Sequence, residues 1–386
     1  MKKKNATYPL LTALAAAMLS QAASAAIVLY DKDDTTFSAD GYINAFYVTS
    51  DVSGAAPLQD RDQARVKMGF LPNYIGFNMT KQVDELKLGA RSSFWVTIND
   101  SDTAGTSTGI DVRQFYGTVS GSWGEVLVGK DFGLFGRSNI FLDELLTGYG
   151  QVSDTLGLVD GAGVSFGNIG TGYPYAFPTA QITYRSPEVS GLRLAVGVMD
   201  PVDASPAGAG RVYQDSPRIE AEVTYGVELG GVKLHSWVNG IHQKSKSTDP
   251  TVSDVTSSGL GYGVQAKVAG LSLTASGFNA EGVGLFSNNY LNLVQDESDT
   301  KGHLFQGSYT LGKNRLALSY GKTKDEGVVG AGNEFEFENK AIALFHNVNK
   351  HLTLVAEYNQ LEVDNKSAGT QLEETKTLAL GVALNW

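Results

Sequence analysis

Thr375-Lys376-Thr377-Leu378-Ala379-Leu380-Gly381-Val382-Ala383-Leu384-Asn385-Trp386 are the last twelve residues of the chain. Lys376, Leu378, Leu380, Val382, Leu384 and Trp386 alternate with Thr375, Thr377, Ala379, Gly381, Ala383 and Asn385. One set is long and apolar and ends in an aromatic; the other is small and polar. A period of two places the sets on opposite faces of a β-strand. A strand of a membrane-spanning barrel needs this pattern, with an aromatic at the membrane interface. A half-buried strand of a soluble sandwich shows it equally, so the segment alone leaves both open.

The other end gives an address. Lys2, Lys3 and Lys4 precede an apolar run around Leu10 to Leu19, and Ala23-Ser24-Ala25 forms a small-residue cleavage site. Residues 1–25 therefore read as a secretory signal peptide; the apolar run is far shorter than the roughly 20 residues of a membrane-spanning helix. Removing them leaves 361 residues and takes away three lysines and no acid, so 27 basic residues face 41 acidic ones, a net charge of −14. Nucleic acid is excluded as a partner, because binding it rests on a basic footprint. With no cysteine, a disulfide framework, a thiolate metal site and a cysteine nucleophile are all absent. No later stretch is apolar enough for a transmembrane helix. The 45 glycines and the 17 tyrosines and 17 phenylalanines are spread without a linker or composition break, which favours one large all-β unit over residues 26–386.

Alternating segments run from end to end, at 36–49, 74–81, 86–98, 111–120, 124–132, 180–186, 191–200, 217–228, 231–243, 258–269, 271–280, 302–311, 315–323, 334–347, 352–362 and 375–386. These are sixteen, an even number, as a closed antiparallel bacterial barrel requires. The connections alternate in length, with short ones at 82–85, 121–123, 187–190, 229–230, 270, 312–314 and 347–351. Short periplasmic turns and longer external loops follow that rule; a soluble sandwich has no reason to. The phase is consistent within strands. Leu86, Leu88, Ala90, Phe94, Val96 and Ile98 oppose Lys87, Gly89, Arg91, Ser93, Trp95 and Thr97, and charge facing lipid near the midplane costs about 2–4 kcal/mol, so Arg91 faces inward. Lys376 lies on the apolar face, where its amine can snorkel to the interface.

Three segments carry a family resemblance. They are the hairpin Val112-Arg113-Gln114-Phe115-Tyr116-Gly117 with Gly124-Glu125-Val126-Leu127-Val128-Gly129-Lys130, the hairpin Thr183-Tyr184-Arg185-Ser186-Pro187 with Gly191-Leu192-Arg193-Leu194-Ala195-Val196, and the aromatic-ended last strand. In order and spacing the chain resembles the Gram-negative general porins, sixteen-stranded trimeric outer-membrane diffusion channels. The resemblance implies a homotrimer, contact with outer-membrane lipid and lipopolysaccharide, recognition of the strand ending in Trp386 by the barrel assembly machinery, and passage of ions and small hydrophilic solutes without cofactor or reaction. It also implies that the long third connection, 133–179, folds into the lumen as a constriction loop. The chain departs from the best-known porins in two places: it lacks the Pro-Glu-Phe-Gly string of their constriction loop, and Tyr74 precedes Ile75-Gly76-Phe77 where a basic residue is usual.

Within 133–179, Ile140-Phe141-Leu142-Asp143-Glu144-Leu145-Leu146 reads as one or two helical turns with Phe141, Leu142, Leu145 and Leu146 on one face. Packing that face on the wall aims Asp143 and Glu144 at the water. The expected constriction therefore sets Asp143 and Glu144 opposite Arg113, Arg91 and Lys130. Arg113 matches by position, the other two by phase and neighbourhood. Asp154 and Asp160 read as lesser members or as tethers of the loop, and Arg65 and Lys67 as first-loop charges. Side-chain charges in a pore select ions by sign.

Two G-x-S-x-G strings, at 105–109 and 163–167, lack the following helix and the His and acid partners of a hydrolase elbow. The five histidines show no helical zinc spacing, and His235, beside Lys233 and Trp237, reads as a solvated bystander. Tyr42, Phe46, Phe94, Tyr116, Trp123 and Trp386 are candidates for aromatic girdles, while Trp95 and Trp237 would suit a sugar-stacking track. The alternatives are a channel specific for oligosaccharides or dicarboxylates, an outer-membrane barrel enzyme such as a phospholipase, and a secreted soluble adhesin.

Overall fold

A computed structural model of the protein describes residues 26–54, 60–101, 109–204, 210–284, 297–326 and 333–386. The expected signal peptide and the Ser107 motif lie outside these residues. In chain order the elements are β1 (Ile27–Lys32), β2 (Thr35–Gly54), β3 (Arg61–Lys67), β4 (Asn73–Val83), β5 (Leu86–Val96), β6 (Asp111–Gly121), β7 (Gly124–Phe132), the short helix α1 (Arg137–Leu142), β8 (Pro178–Arg185), β9 (Leu192–Met199), β10 (Val212–Tyr213), β11 (Arg218–Leu229), β12 (Val232–Ser247), β13 (Val255–Val268), β14 (Leu271–Glu281), β15 (Asp299–Leu311), β16 (Asn314–Asp325), β17 (Phe335–Asn347), β18 (Leu352–Asn365) and β19 (Thr370–Asn385).

Nineteen strand segments make a closed sixteen-stranded antiparallel barrel, because three of them continue others. β3 and β4 both pair with β2, from Val52↔Arg61 to Phe46↔Lys67 and from Tyr42↔Tyr74 to Thr35↔Lys81. They are two parts of one strand. β1 prolongs the line of β19 along β2, and β10 that of β11 along β12. The seam closes where β19 pairs with β2, Leu380 opposite Tyr47. Each of the sixteen expected strands has its counterpart. The second strand is longer than the expected 74–81, and Arg65 and Lys67 lie on β3 rather than in an external loop.

Closure leaves the sheet no open edge of unpaired amides, as a chain in hydrocarbon requires. The outer face is apolar: on β19, Leu378, Leu380, Val382 and Leu384 are exposed, while Thr375, Thr377, Ala379 and Ala383 are buried on the inner face. Short turns are built where the backbone twist matches the strands: Gly230 and Gly231 have φ of 58° and 85°, and Ala269 and Gly270 have 47° and 87°. Positive φ at both central residues marks the tight hairpin turn suited to right-handed twist. Near this end Trp123, Tyr184, Tyr225 and Tyr309 are exposed on the outer wall.

Three girdle candidates face the other way, and one is Tyr116 on β6, half-buried beside Asp131 and Arg91. Tyr42 and Phe46 are buried on the inner face of β2, with Phe46 against Tyr149 at 5.6 Å between ring centres. The reason lies in residues 133–177. Their apolar side chains Ile140, Leu145, Tyr149, Val152, Phe166 and Tyr173 form cores with Tyr74, Trp95, Phe132, Phe345 and Val355 of the strands. The inner face carries these aromatic and apolar side chains where the segment packs on it.

Candidate functional site

Residues 133–177 step around the inner face on polar anchors. The amides of Leu134 and Phe135 donate to Glu220 Oε2 on β11 at 2.6 and 2.9 Å. Ser138 Oγ donates to Glu222, and Asn139 pairs with Ser276 of β14 and Trp237 of β12. Further on, the amides of Tyr149 and Gly150 donate to Glu357 of β18 at 2.9 and 2.7 Å. Glu373 of β19 accepts from Ser153 Oγ and from the amides of Asp154 and Thr155. On β3 the Lys67 amine donates to three carbonyls, Leu158, Val159 and Gly163, at 3.1, 2.7 and 3.0 Å. Hydrogen bonds to charged groups are roughly twice as strong as neutral ones. Loss of one partner leaves buried backbone groups unsatisfied, at about 1–3 kcal/mol each.

Asp143 and Glu144 take part in this anchoring and do not face Arg113 or Arg91. α1 starts earlier than expected, at Arg137, and ends at Leu142, so Asp143 is its C-cap with non-helical ψ of 121°. Its carboxylate accepts from Gln306 Nε2 at 2.7 Å, Tyr173 Oη at 2.6 Å, Asn168 Nδ2 and the Leu145 amide. Burial pushes the Asp143 carboxyl above the usual range, and those four donors only oppose it. Glu144 accepts from Ser272 and Ser308 and pairs with Arg315 at 3.3 Å. The amphipathic reading failed because the helix stops one residue before the acids. Once the chain leaves the helix, side-chain direction no longer follows its period.

Asp154 and Asp160 both pair with Arg61 of β3, and Gln63 donates to Asp160. Burial alone would raise Asp160; the Arg61 and Gln63 bonds outweigh it and hold the carboxyl low. Both acids are placed as tethers.

The basic side of the site lies on β5 to β8. Arg91 shares the inner face with Ser93 and Trp95, as its phase requires, and is buried in a network. Its guanidinium meets Asp40 at 2.9 Å, Asn78 at 2.7 Å and Gln114 at 2.8 Å. Gln114 donates to Asp131, which meets Arg137 at 3.2 Å and Arg185 at 3.6 Å. Removing one partner of a buried pair strands the other charge, at about 3–5 kcal/mol.

Arg113 is aimed by a local irregularity. Ser93 pairs with Gln114 but Phe94 with Val112, so Arg113 is the extra residue of a β-bulge, a device that re-aims a side chain. Alternation from the exposed Phe115 alone would turn it outward. Arg113 instead lies over the Trp95 ring at 5.2 Å, donates to Tyr175 Oη at 3.3 Å and pairs with Asp111 at 2.8 Å. Arg113, Asp111 and Lys130 together line a cavity of about 290 Å³ between these strands and residues 133–177. Trp237 is an anchor rather than a stacking surface, since Asn139 holds its Nε1 at 3.2 Å. Ser165, in the second G-x-S-x-G string, is buried, and its hydroxyl bonds to the carbonyls of Tyr149 and Gln151.

A family model described as Gram-negative porin matches residues 11–366. The chain belongs to the Gram-negative porins. No curated protein sequence matches it. The porin resembles the outer membrane channel DcaP of Acinetobacter baumannii at 15% identity and TM-score 0.68, over 93% of this chain and 99% of that one. It resembles an anion-selective porin from Comamonas acidovorans at 14% and 0.64, over 91% and 100%. A trimer form of OmpT of Vibrio cholerae follows at 16% and 0.55, over 92% and 100%. These likenesses show the fold, and the family places the porin in the outer membrane as a channel for passive diffusion of solutes.

Sequence reasoning missed the wall residues that hold the porin's long segment: Glu220, Glu357, Glu373, Arg61 and Arg315. A signal existed for some. Arg218, Glu220 and Glu222 alternate with Ile219, Ala221 and Val223, which puts a run of charge on an inward face where only partners inside the barrel can neutralise it.

Proposed function

We propose that residues 133–177 fold into the lumen and narrow a water-filled passage, and that Arg113 and Lys130 are the charges which ions and small hydrophilic solutes meet there. The observation that carries this is the ring of anchors from Glu220 through Glu357 and Glu373 to Lys67, all on inward-facing positions. A segment held on several sides of one ring crosses the interior. Arg91 belongs to the wall: its buried pair with Asp40 holds the strands and leaves it little contact with solute. With Asp143, Glu144 and Asp154 spent on anchoring, the passage favours anions weakly. The same reading assigns residues 1–25 as a cleaved signal peptide, a homotrimer as the assembled form, Trp386 as the end read by the assembly machinery, and lipid and lipopolysaccharide as the surroundings of the outer wall. It assigns no reaction: Ser165 bonds to carbonyls instead of a base.

Planar-bilayer conductance of the purified protein in a salt gradient tests the reading. The expected result is conductance in steps of three with a modest anion preference. Deleting residues 139–148 should raise single-channel conductance in trimers that still form. Unchanged conductance would place the segment outside the passage.

A further inference from the structure

The cavity beside Arg113 is unlike the rest of a hydrated passage. Its floor is aromatic, formed by Trp95, Phe132, Phe141 and Tyr175, with Leu146 and Phe177 at the side. Phe132 and Phe141 meet edge to face at 5.4 Å, and Trp95 meets Phe132 at 6.2 Å. Most of these rings are held in the packed core between the segment and the wall, so the floor is preformed. At its edge stand two cations, Arg113 and Lys130, and one carboxylate, Asp111. Lys130 pairs through its backbone in the ladder, and its partly exposed side chain makes no hydrogen bond or ion pair among the described residues.

We propose that this cavity binds a small apolar monocarboxylate, an aromatic acid of about one ring, on its way through the channel. The inference rests on the diffusion reading above and narrows it to a solute class. Among the described residues that line the cavity the charge sum is one positive, from Arg113, Lys130 and Asp111, which matches one carboxylate. A second carboxylate would meet Asp111 or the aromatic floor, and both repel it. A sugar would leave the net cation unmatched and place hydroxyls against rings that offer few partners, which costs free energy for every unpaired polar group. A bare inorganic anion would gain nothing from the floor. An aromatic acid uses both: its ring leaves water for apolar surface, and its carboxylate pairs with the guanidinium and the amine, with Arg offering a planar fork that suits it. About 290 Å³ lies near the lower end of ligand pockets, roughly 300–1,000 Å³, so one ring fits and larger bodies do not.

The test is blockade of ion current through the purified protein in planar bilayers at low salt, with benzoate, acetate, succinate and glucose as probes. Benzoate should reduce current saturably at a concentration at least tenfold below that at which acetate or succinate acts, and glucose should not act. Arg113→Gln and Lys130→Gln should each raise the half-blocking benzoate concentration tenfold or more. Phe141→Ala should do the same for benzoate and leave the response to acetate unchanged. For any variant that fails to insert, competition in the unaltered protein decides: phenylacetate must relieve the added effect of benzoate, and acetate at equal concentration must not. Equal potency of acetate and benzoate, a linear response without saturation, or variants with unchanged block would overturn the site while the conducting channel stands. A protein that conducts nothing would overturn the channel reading and this proposal with it.

Discussion

Trp386 and Gly41 hold the barrel's seam together by an arrangement that neither residue announces alone. A side-chain carbon added at Gly41 would lie 2.2 Å from the Trp386 ring, and the two residues exchange backbone hydrogen bonds at 3.0 and 3.2 Å. The outward phase of Trp386 was legible from the alternation of its strand. Its partner was not, because the contact joins opposite ends of the chain and leaves no local pattern. Gly41→Val should displace the ring and cut the yield of folded, heat-modifiable trimer severely. Adding Trp386→Ala should cost less than the sum of the two single changes, since contacting residues are coupled; additive losses on the gel would show that the ring does not sit there. A second residue-scale prediction concerns acidity. The Asp143 carboxyl is raised by burial, so the folded state holds its proton more tightly than the unfolded chain does, whose carboxyl titrates near pH 4. Its contribution to stability is therefore full below that pH and falls as pH rises toward the raised value. Asp143→Asn should flatten the thermal midpoint against pH across this window. An unaltered profile would mean that the buried acid does not titrate there.

Among elements, the strands were readable and the long segment was not, for one physical reason. A strand's side chains alternate by backbone geometry, so composition reveals phase. Residues 133–177 have mostly irregular backbone, and their orientation is decided by which wall groups they reach. Length said that the segment must pack; it could not say that Glu357 and Glu373 would receive its amides. Arg113 shows the same limit inside a strand, since a bulge rather than the alternation decides its direction. The prediction at this scale follows from the anchors. Glu357 is buried and accepts two backbone amides as well as Asn359 Nδ2 at 2.7 Å. Glu357→Ala removes an acceptor from both amides, a loss of about 1–3 kcal/mol each, and loosens the segment at its middle. Single-channel recordings should then show more frequent current fluctuations and a higher mean conductance. A quiet channel of unaltered size would mean that the remaining anchors suffice.

Across the whole molecule, net charge says little about which ion passes. The −11 of the full sequence counts acids that are paired on the outer wall, such as Glu336 and Glu338 with Lys322, and acids consumed as anchors. What an ion meets is the short list of groups that line the gap. A symmetrical expectation, with acids and bases facing across it, gives equal and opposite effects when either side is neutralised. The arrangement found here is lopsided, because Asp143 and Glu144 are bonded into the wall while Arg113 and Lys130 border open space. Arg113→Ala and Lys130→Gln should therefore each move the reversal potential toward cations, and the pair should move it further. Asp143→Asn with Glu144→Gln should move it by much less than either. The difference must be read at low salt: the screening length is about 30 Å at 0.01 M and about 3 Å at 1 M, so concentrated salt would hide both effects. Shifts of equal size from the acidic and the basic changes would restore the facing arrangement and remove the lopsided one.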